Sequence, residues 1–273
     1  MTTPYLAHFG FSSPPFSKEI PDDKLWLPSS KVSLIDEICE ALKDRESVLL
    51  TGEPGVGKTC VLRAIRQRLP QAGFRLTYCH NATLGRRDFY RQLCLALGLS
   101  PSATAAAVFW AVSTHVEELG REQRCHPVFL LDEAHLLHQD VLDHLHILLN
   151  YQWDSKALLS LVLVGLPELQ ARLTMRRNRS LTSRLARYVA IGKLTPVDTA
   201  EYIRKRLELV GCEKDVFTSD AVAMLHEGAA GAHRDLDRLA TLALREAARR
   251  KKKLVERDVV ARITDTTEEP EAA

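Results

Sequence analysis

Ser47-Val48-Leu49-Leu50-Thr51 runs into Gly52-Glu53-Pro54-Gly55-Val56-Gly57-Lys58-Thr59, and a helical alternation of apolar and basic residues follows from Cys60 to Leu69. The apolar run reads as a buried strand. The eight residues after it complete the pattern G-x-x-x-x-G-K-[ST], a phosphate-binding loop. Glycines there let backbone N–H groups turn inward around phosphate oxygens, at a helix N-terminus whose dipole favours anions. A glycine-rich turn could match by chance, but a strand before and a helix after are the context that the chemistry requires. The nucleotide cradle is therefore expected to run through Gly52, Glu53, Pro54, Gly55, Val56, Gly57, Lys58, Thr59 and Cys60. Lys58 is the catalytic cation expected at the β- and γ-phosphates of ATP, and the Thr59 hydroxyl is an expected ligand of Mg2+.

Val128-Phe129-Leu130-Leu131-Asp132-Glu133 is the partner signal. Four apolar residues make a second buried strand, and an acidic pair leaves its carboxyl end, where open parallel sheets place their ligands. Asp132 is expected to hold Mg2+ through water, and Glu133 to position and polarise the attacking water as the catalytic base. The next residues, Ala134 and His135, complete the letters of a helicase motif. That reading is set aside, because 273 residues cannot hold two motor domains.

Between Leu169 and Val197 the sequence has six arginines and one lysine without an acid. Arg184 is chosen from them as a catalytic arginine finger, reaching the γ-phosphate of a neighbouring subunit. The competing reading is a solvated basic helix face. Arg234, in Gly231-Ala-His-Arg234, fits a second sensing arginine that touches the nucleotide, or else a basic residue at a helix start.

Further strands fit Phe74 to Cys79 and Leu158 to Val164, and helices fit Ser30 to Leu42, Arg87 to Leu97 and Ala103 to Leu119. Alternation of this kind predicts an α/β fold, a parallel sheet wound on both faces. After Pro196 the pattern becomes all-helical, with segments at Thr199 to Val210, Ser219 to Glu227 and Leu236 to Arg250. The expected division is an aromatic and proline-rich packing strip over 1–30, a nucleotide-binding core over 31–195, a helical lid over 196–264 and a flexible acidic tail over 265–273. The charged fraction is 26%, the hydrophobic fraction 45% and the formal net charge +2, a globular balance that excludes a histone-like polycation. No apolar run approaches the roughly 18 residues of a spanning helix, and the first ten residues have no signal-peptide pattern, so a cytoplasmic location without membrane contact is expected. Cys39, Cys60, Cys79, Cys94, Cys125 and Cys212 are scattered, which favours reduced, mostly buried thiols over metal or redox use.

The chain resembles the AAA+ ATPases of the ExeA-like branch, named for general secretion pathway protein A. The likeness rests on Tyr5-Leu-x-x-Phe9-Gly10-Phe11 with Pro15-Phe16, the phosphate loop, and Leu131-Asp132-Glu133-Ala134. It continues through Leu163-Val-Gly165-Leu-Pro167-Glu168-Leu169, Tyr202-Ile-x-x-Arg206-Leu207, Phe217-Thr-x-x-Ala221 and Gly231-x-x-Arg234. The resemblance implies an AAA+ P-loop sheet with a small helical lid, ATP bound between them, and a homo-oligomer in the form of a ring or filament. One residue departs from the pattern: a polar γ-phosphate sensor is often found between that Gly and Pro, and here the position is Leu166.

Secretion-pathway members are similar over this length and continue into a membrane span. Short relatives resemble the transposition ATPases of the TniB, TnsC and IstB kind, which assemble with ATP on double-stranded DNA and recruit or activate a transposase. The missing span directs the expectation to transposition, with a transposase and a target-selection protein as partners. Assistance to type II secretion and a weakly hydrolysing, nucleotide-gated scaffold are the alternatives. Arg86, Arg87, Lys156, Lys251 and Lys252 are the candidate DNA-binding cations. The run from Arg249 to Lys253 reads equally as a solvated helix end that suits the dipole. With no groove-reading motif in view, binding is expected to be dominated by the phosphate backbone.

Overall fold

The computed structural model describes residues 4–80, 83–101, 104–121 and 124–268. Met1–Thr3 of the N-terminal strip, Ala103 of the helix expected from Ala103 to Leu119, and 269–273 of the expected tail lie outside the described residues. In chain order the elements are α1 (Pro4–Phe9), α2 (Ser29–Lys43), β1 (Ser47–Gly52), α3 (Lys58–Arg68), β2 (Phe74–Cys79), α4 (Arg86–Ala96), α5 (Ala105–Arg121) and β3 (His126–Leu131). They continue with α6 (Gln139–Leu148), β4 (Ser160–Gly165), α7 (Glu168–Leu173), α8 (Arg179–Thr182), β5 (Leu185–Ile191), α9 (Pro196–Glu208), α10 (Ser219–Ala229), α11 (His233–Arg249) and α12 (Arg257–Glu268).

The chain divides into two compact units, Ser30–Glu53 with Lys58–Ile191, and Met1–Ser29 with Pro54–Gly57 and Gly192–Ala273. The first unit holds one parallel sheet in the order β2-β3-β4-β1-β5. β1, β3 and β4 are buried at every residue, which is why they read as unbroken apolar runs. Helices pack on this sheet around Leu49, Phe129, Leu131, Leu161 and Leu163. β5 is an edge strand that the run of arginines conceals in the sequence. Only Leu185, Val189 and Ile191 of its seven residues are buried.

The second unit is helical. α9 starts where Thr195 and Asp198 cap one another reciprocally and Pro196 sets the first turn. α11 buries a stripe of Leu236, Leu239, Ala240, Ala243, Leu244 and Ala247. The aromatic strip packs in this unit, not in the sheet unit: Tyr5, Leu6, Phe11 and Phe16 share its core with Tyr202, Ile203, Leu207 and Phe217. Buried Arg206 fastens it, donating from Nε to the Pro15 carbonyl and from Nη2 to that of Ser17, both at 2.6 Å. Its guanidinium also lies over the Phe16 and Tyr202 rings, at 5.9 and 5.5 Å from their centroids. α12 reaches Glu268, so residues 265–268, expected to open the tail, are helical.

Asp237 gives this unit a pH dependence. Burial pushes its carboxyl up from 3.8 to about 6, opposed by the Tyr202 hydroxyl, which donates at 2.6 Å, and by Arg206. The folded carboxyl then binds more protons than the unfolded one across that window, so stability falls as pH rises from 3.8 to about 6. Asp237→Asn keeps an acceptor for Tyr202 and removes the charge. Thermal denaturation at a series of pH values should show a flatter profile over this window than wild type. An unchanged profile would remove Asp237 as the source.

Candidate nucleotide site

β1 lies between β4 and β5; the chain leaves it for β2 on one side and later passes from β4 to β5 on the other, and the phosphate loop begins at its carboxyl end. Gly55 and Gly57 have φ of +77° and +99°, a left-handed backbone that a side chain disfavours and that a nest of inward N–H groups uses. Val56 between them is buried. Lys58 opens α3, with Thr59 and Cys60 following in its first turn. Its Nζ donates to the Gly52 carbonyl at 2.7 Å and to that of Glu53 at 3.1 Å, which keeps the ammonium at the root of the loop. The loop's left-handed glycines, helix start and buried ammonium suit a polyphosphate. Thr59 and Asp132 are hard oxygen donors of the kind Mg2+ takes.

Asp132 follows buried β3 and is itself buried. Its Oδ1 accepts the Glu133 N–H at 2.9 Å, and its Oδ2 accepts the Tyr78 hydroxyl at 2.8 Å. Tyr78 comes from β2, whose register sets it opposite Leu130. Burial, together with the hydrogen bond to Asp132, raises the Tyr78 phenol well above its ordinary range, so it remains a donor. Glu133 stands at φ +54°, a left-handed conformation that costs a non-glycine residue on the order of 1 kcal/mol. This backbone turn presents its half-exposed side chain next to Asp132.

The arginine run is less uniform than its sequence suggests. Acids arrive from distant segments: Asp143 pairs with Arg177, Asp154 with Arg184 at 2.8 Å, and Glu46 with Arg187 at 3.2 Å. Arg184 also donates to the Ser180 carbonyl at 3.2 Å, while its buried Nε has no hydrogen-bond partner among the described residues. Arg172 has a structural task. Its two terminal nitrogens donate to the carbonyls of His135 and Leu137, at 2.8 and 2.7 Å, and clamp the turn that follows Glu133. Arg234, second residue of α11, donates its backbone N–H to the Gly55 carbonyl at 3.3 Å. Of the candidate DNA contacts, Arg86, Arg87, Lys156 and Lys251 are exposed. Lys252 is engaged with Glu256 and Asp258, and Arg250 with Asp258, so this part of the basic run is neutralised locally.

Residues 31–173 match the family model described as AAA domain. The chain belongs to the AAA domain family. This AAA chain is ExeA-like: it is 34% identical over 260 residues to general secretion pathway protein A of Aeromonas hydrophila, covering 93% of the chain and 47% of that protein. It thus spans about half the length of this relative. Its fold is similar to that of the Aeropyrum pernix Orc1 protein in complex with DNA, with TM-score 0.69, 20% identity, and 93% of this chain and 69% of that one covered. It is also similar to Cdc6p of Pyrobaculum aerophilum, with TM-score 0.66, 16% identity and coverage of 88% and 67%. The Thermotoga maritima RuvB Holliday junction branch migration motor gives TM-score 0.61, 19% identity and coverage of 92% and 73%. At such identities these three likenesses concern the fold alone.

Within the helical unit of this AAA chain, Gly231 holds the approach of Arg234 to Gly55. Its φ is +72°, and a Cβ there would stand 2.5 Å from the Leu194 carbonyl oxygen. That oxygen is backbone and cannot step aside. Gly231→Ala should therefore destabilise the protein by about 2–4 kcal/mol, read from denaturant midpoints. A midpoint within error of wild type would contradict the packing described. Tyr78, Arg172 and Arg206 are the residues whose parts the sequence does not reveal.

Among the described residues no helix is long and apolar enough to cross a membrane.

Proposed function

We propose that this chain is an ATPase that binds ATP with Mg2+, assembles with it as a ring or filament on double-stranded DNA, and there regulates or recruits a transposase. The observation that carries the reading is the placement of Lys58 and the Asp132–Glu133 pair at the carboxyl ends of β1 and β3 in one parallel sheet. Lys58 exchanges the carbonyls of Gly52 and Glu53 for β- and γ-phosphate oxygens. Thr59 and Asp132 would hold Mg2+, which supplies neutralisation of phosphate charge. Glu133 takes a proton as water attacks the γ-phosphorus and the bond to the ADP oxygen breaks. Arg234 serves the phosphates from beside Gly55.

Arg184 is the residue offered to a neighbouring copy. In this reading it gives up the half-exposed Asp154 carboxylate for a phosphate. DNA contact falls to Arg86, Arg87, Lys156 and Lys251, with Lys252 weakened as a candidate by its acidic partners. Orc1, a protein of similar fold, is in complex with DNA, and contact with DNA is the one part of the reading for which it offers a precedent. The similarity to general secretion pathway protein A supports a second reading, a cytoplasmic ATPase assisting type II secretion.

Phosphate release with ATP and Mg2+, measured with and without duplex DNA, separates them. The first reading expects turnover that depends on Mg2+ and rises with DNA. Turnover indifferent to DNA favours the secretion reading, and absence of turnover under all conditions favours a nucleotide-gated scaffold.

A further inference from the structure

Leu166 follows β4 directly, and its aliphatic side chain can neither donate nor accept a hydrogen bond. The ring of His135 lies at this place. Its Nδ1 accepts the Leu166 backbone N–H at 3.4 Å. With Nδ1 an acceptor, the neutral ring carries its proton on Nε2. That nitrogen stands 3.6 Å from Glu133 Oε2, a small side-chain rotation short of a hydrogen bond.

Three contacts fix this residue and its backbone. Gly165 allows it to lie against the end of β4, since a Cβ there would come within 3.1 Å of the His135 backbone nitrogen and 3.3 Å of Nδ1. Arg172 fixes the His135 carbonyl at 2.8 Å and that of Leu137 at 2.7 Å. Ala134, its predecessor, is fully buried and anchors the turn. Only 14% of the His135 side chain is exposed, against 48% of that of Glu133. Among the described residues, His135 is the cationic or ring side chain within ion-pair range of that carboxylate.

We infer that His135 is a positioning residue for Glu133: its ring ties the carboxylate to the end of β4 and supplies the polar link that Leu166 cannot. The inference rests on the reading of Glu133 as the group that polarises water. His135 acts through Glu133 and is not assigned contact with the nucleotide. A carboxylate aimed by a fixed N–H loses rotational freedom before the reaction, and its loss of aim shows in turnover and not in nucleotide affinity.

The experiment is steady-state ATP turnover of the full chain with Mg2+, beside equilibrium ATP binding and thermal denaturation, for His135→Ala, His135→Gln, His135→Ala with Leu166→Gln, and Glu133→Gln alone and with His135→Ala. His135→Ala should lower kcat by about 10- to 100-fold, the worth of one hydrogen bond to a charged group, with the Kd for ATP within about twofold of wild type. His135→Gln, whose amide N–H reaches the same carboxylate, should recover most of the loss, and Leu166→Gln should recover part of it in the alanine background. On a Glu133→Gln background, adding His135→Ala should cost little more, because the two act as a unit. Unchanged kcat in His135→Ala overturns the inference. So does an equal loss in the alanine and glutamine variants accompanied by a lower melting temperature, which would make the ring a packing element. Wild-type turnover in Glu133→Gln alone would instead overturn the reading of Glu133 beneath it.

Discussion

Lys58→Ala abolishes ATP binding at working concentrations. The ammonium is buried and ready at the loop, donating to two carbonyls that a phosphate group replaces without moving the backbone. Two charge-assisted hydrogen bonds of about 1.5–3 kcal/mol each correspond to a loss of roughly 10²–10⁴ in affinity. Equilibrium binding of a fluorescent ATP analogue reads this directly. The midpoint of thermal denaturation without nucleotide should fall by a few degrees, because the buried Gly52 carbonyl loses its donor while water can serve that of exposed Glu53. A variant that bound ATP as wild type, or still assembled on DNA when ATP was added, would remove the loop from its assigned part.

Glu133→Gln has the opposite signature. The amide keeps the size and the strained left-handed backbone of the position, so ATP binding should survive. Without a carboxylate to accept the proton, turnover should fall about 10²–10⁴-fold. Assembly would then be trapped in its ATP-bound form, and sedimentation after ATP addition should show a large species that persists for hours. Rapid disassembly of this variant would show that Glu133 is not the group that ends the ATP state. The pair of substitutions separates binding from hydrolysis, since one acts before assembly and the other after it.

Among the strands, those buried at every residue stand out most plainly in the sequence, although partly exposed β2 was legible as well. β1, β3 and β4 are covered on both faces, so apart from His126 every residue in them is apolar or small, and their chemistry-bearing ends stand out as Gly52 and Asp132. β5 escaped because one face meets solvent, and Arg187 and Tyr188 there blend into the basic run. The short helices α7 and α8 are below the length at which a 3.6-residue period can be recognised. Pairings across long separations are invisible to local pattern. The acids that meet Arg177, Arg184 and Arg187 lie 34, 30 and 141 residues away. The same holds for Tyr78 on Asp132, and for Arg206, which looks like an ordinary helix-surface cation until the N-terminal strip folds over it.

The phosphate loop is legible because its backbone does the binding and its glycines are written in the sequence. The surroundings of Glu133 are not, because Tyr78, His135 and Arg172 are ordinary residue types whose importance comes from where the sheet brings them. Arg234 is intermediate: a glycine three residues earlier signals a tight turn, and the contact with Gly55 shows what the turn is for.

Nucleotide-dependent assembly on DNA is the centre of this account, and sedimentation velocity of the full chain tests it most directly. The protein would be run with Mg2+ at two salt concentrations, with ATP, with duplex DNA, with both and with neither. The account predicts a large species only when ATP and DNA are both present, weakening with salt as phosphate contacts are screened, at a log–log slope of roughly −0.9 per phosphate neutralised. A single small species under all four conditions, or assembly indifferent to nucleotide, would contradict it.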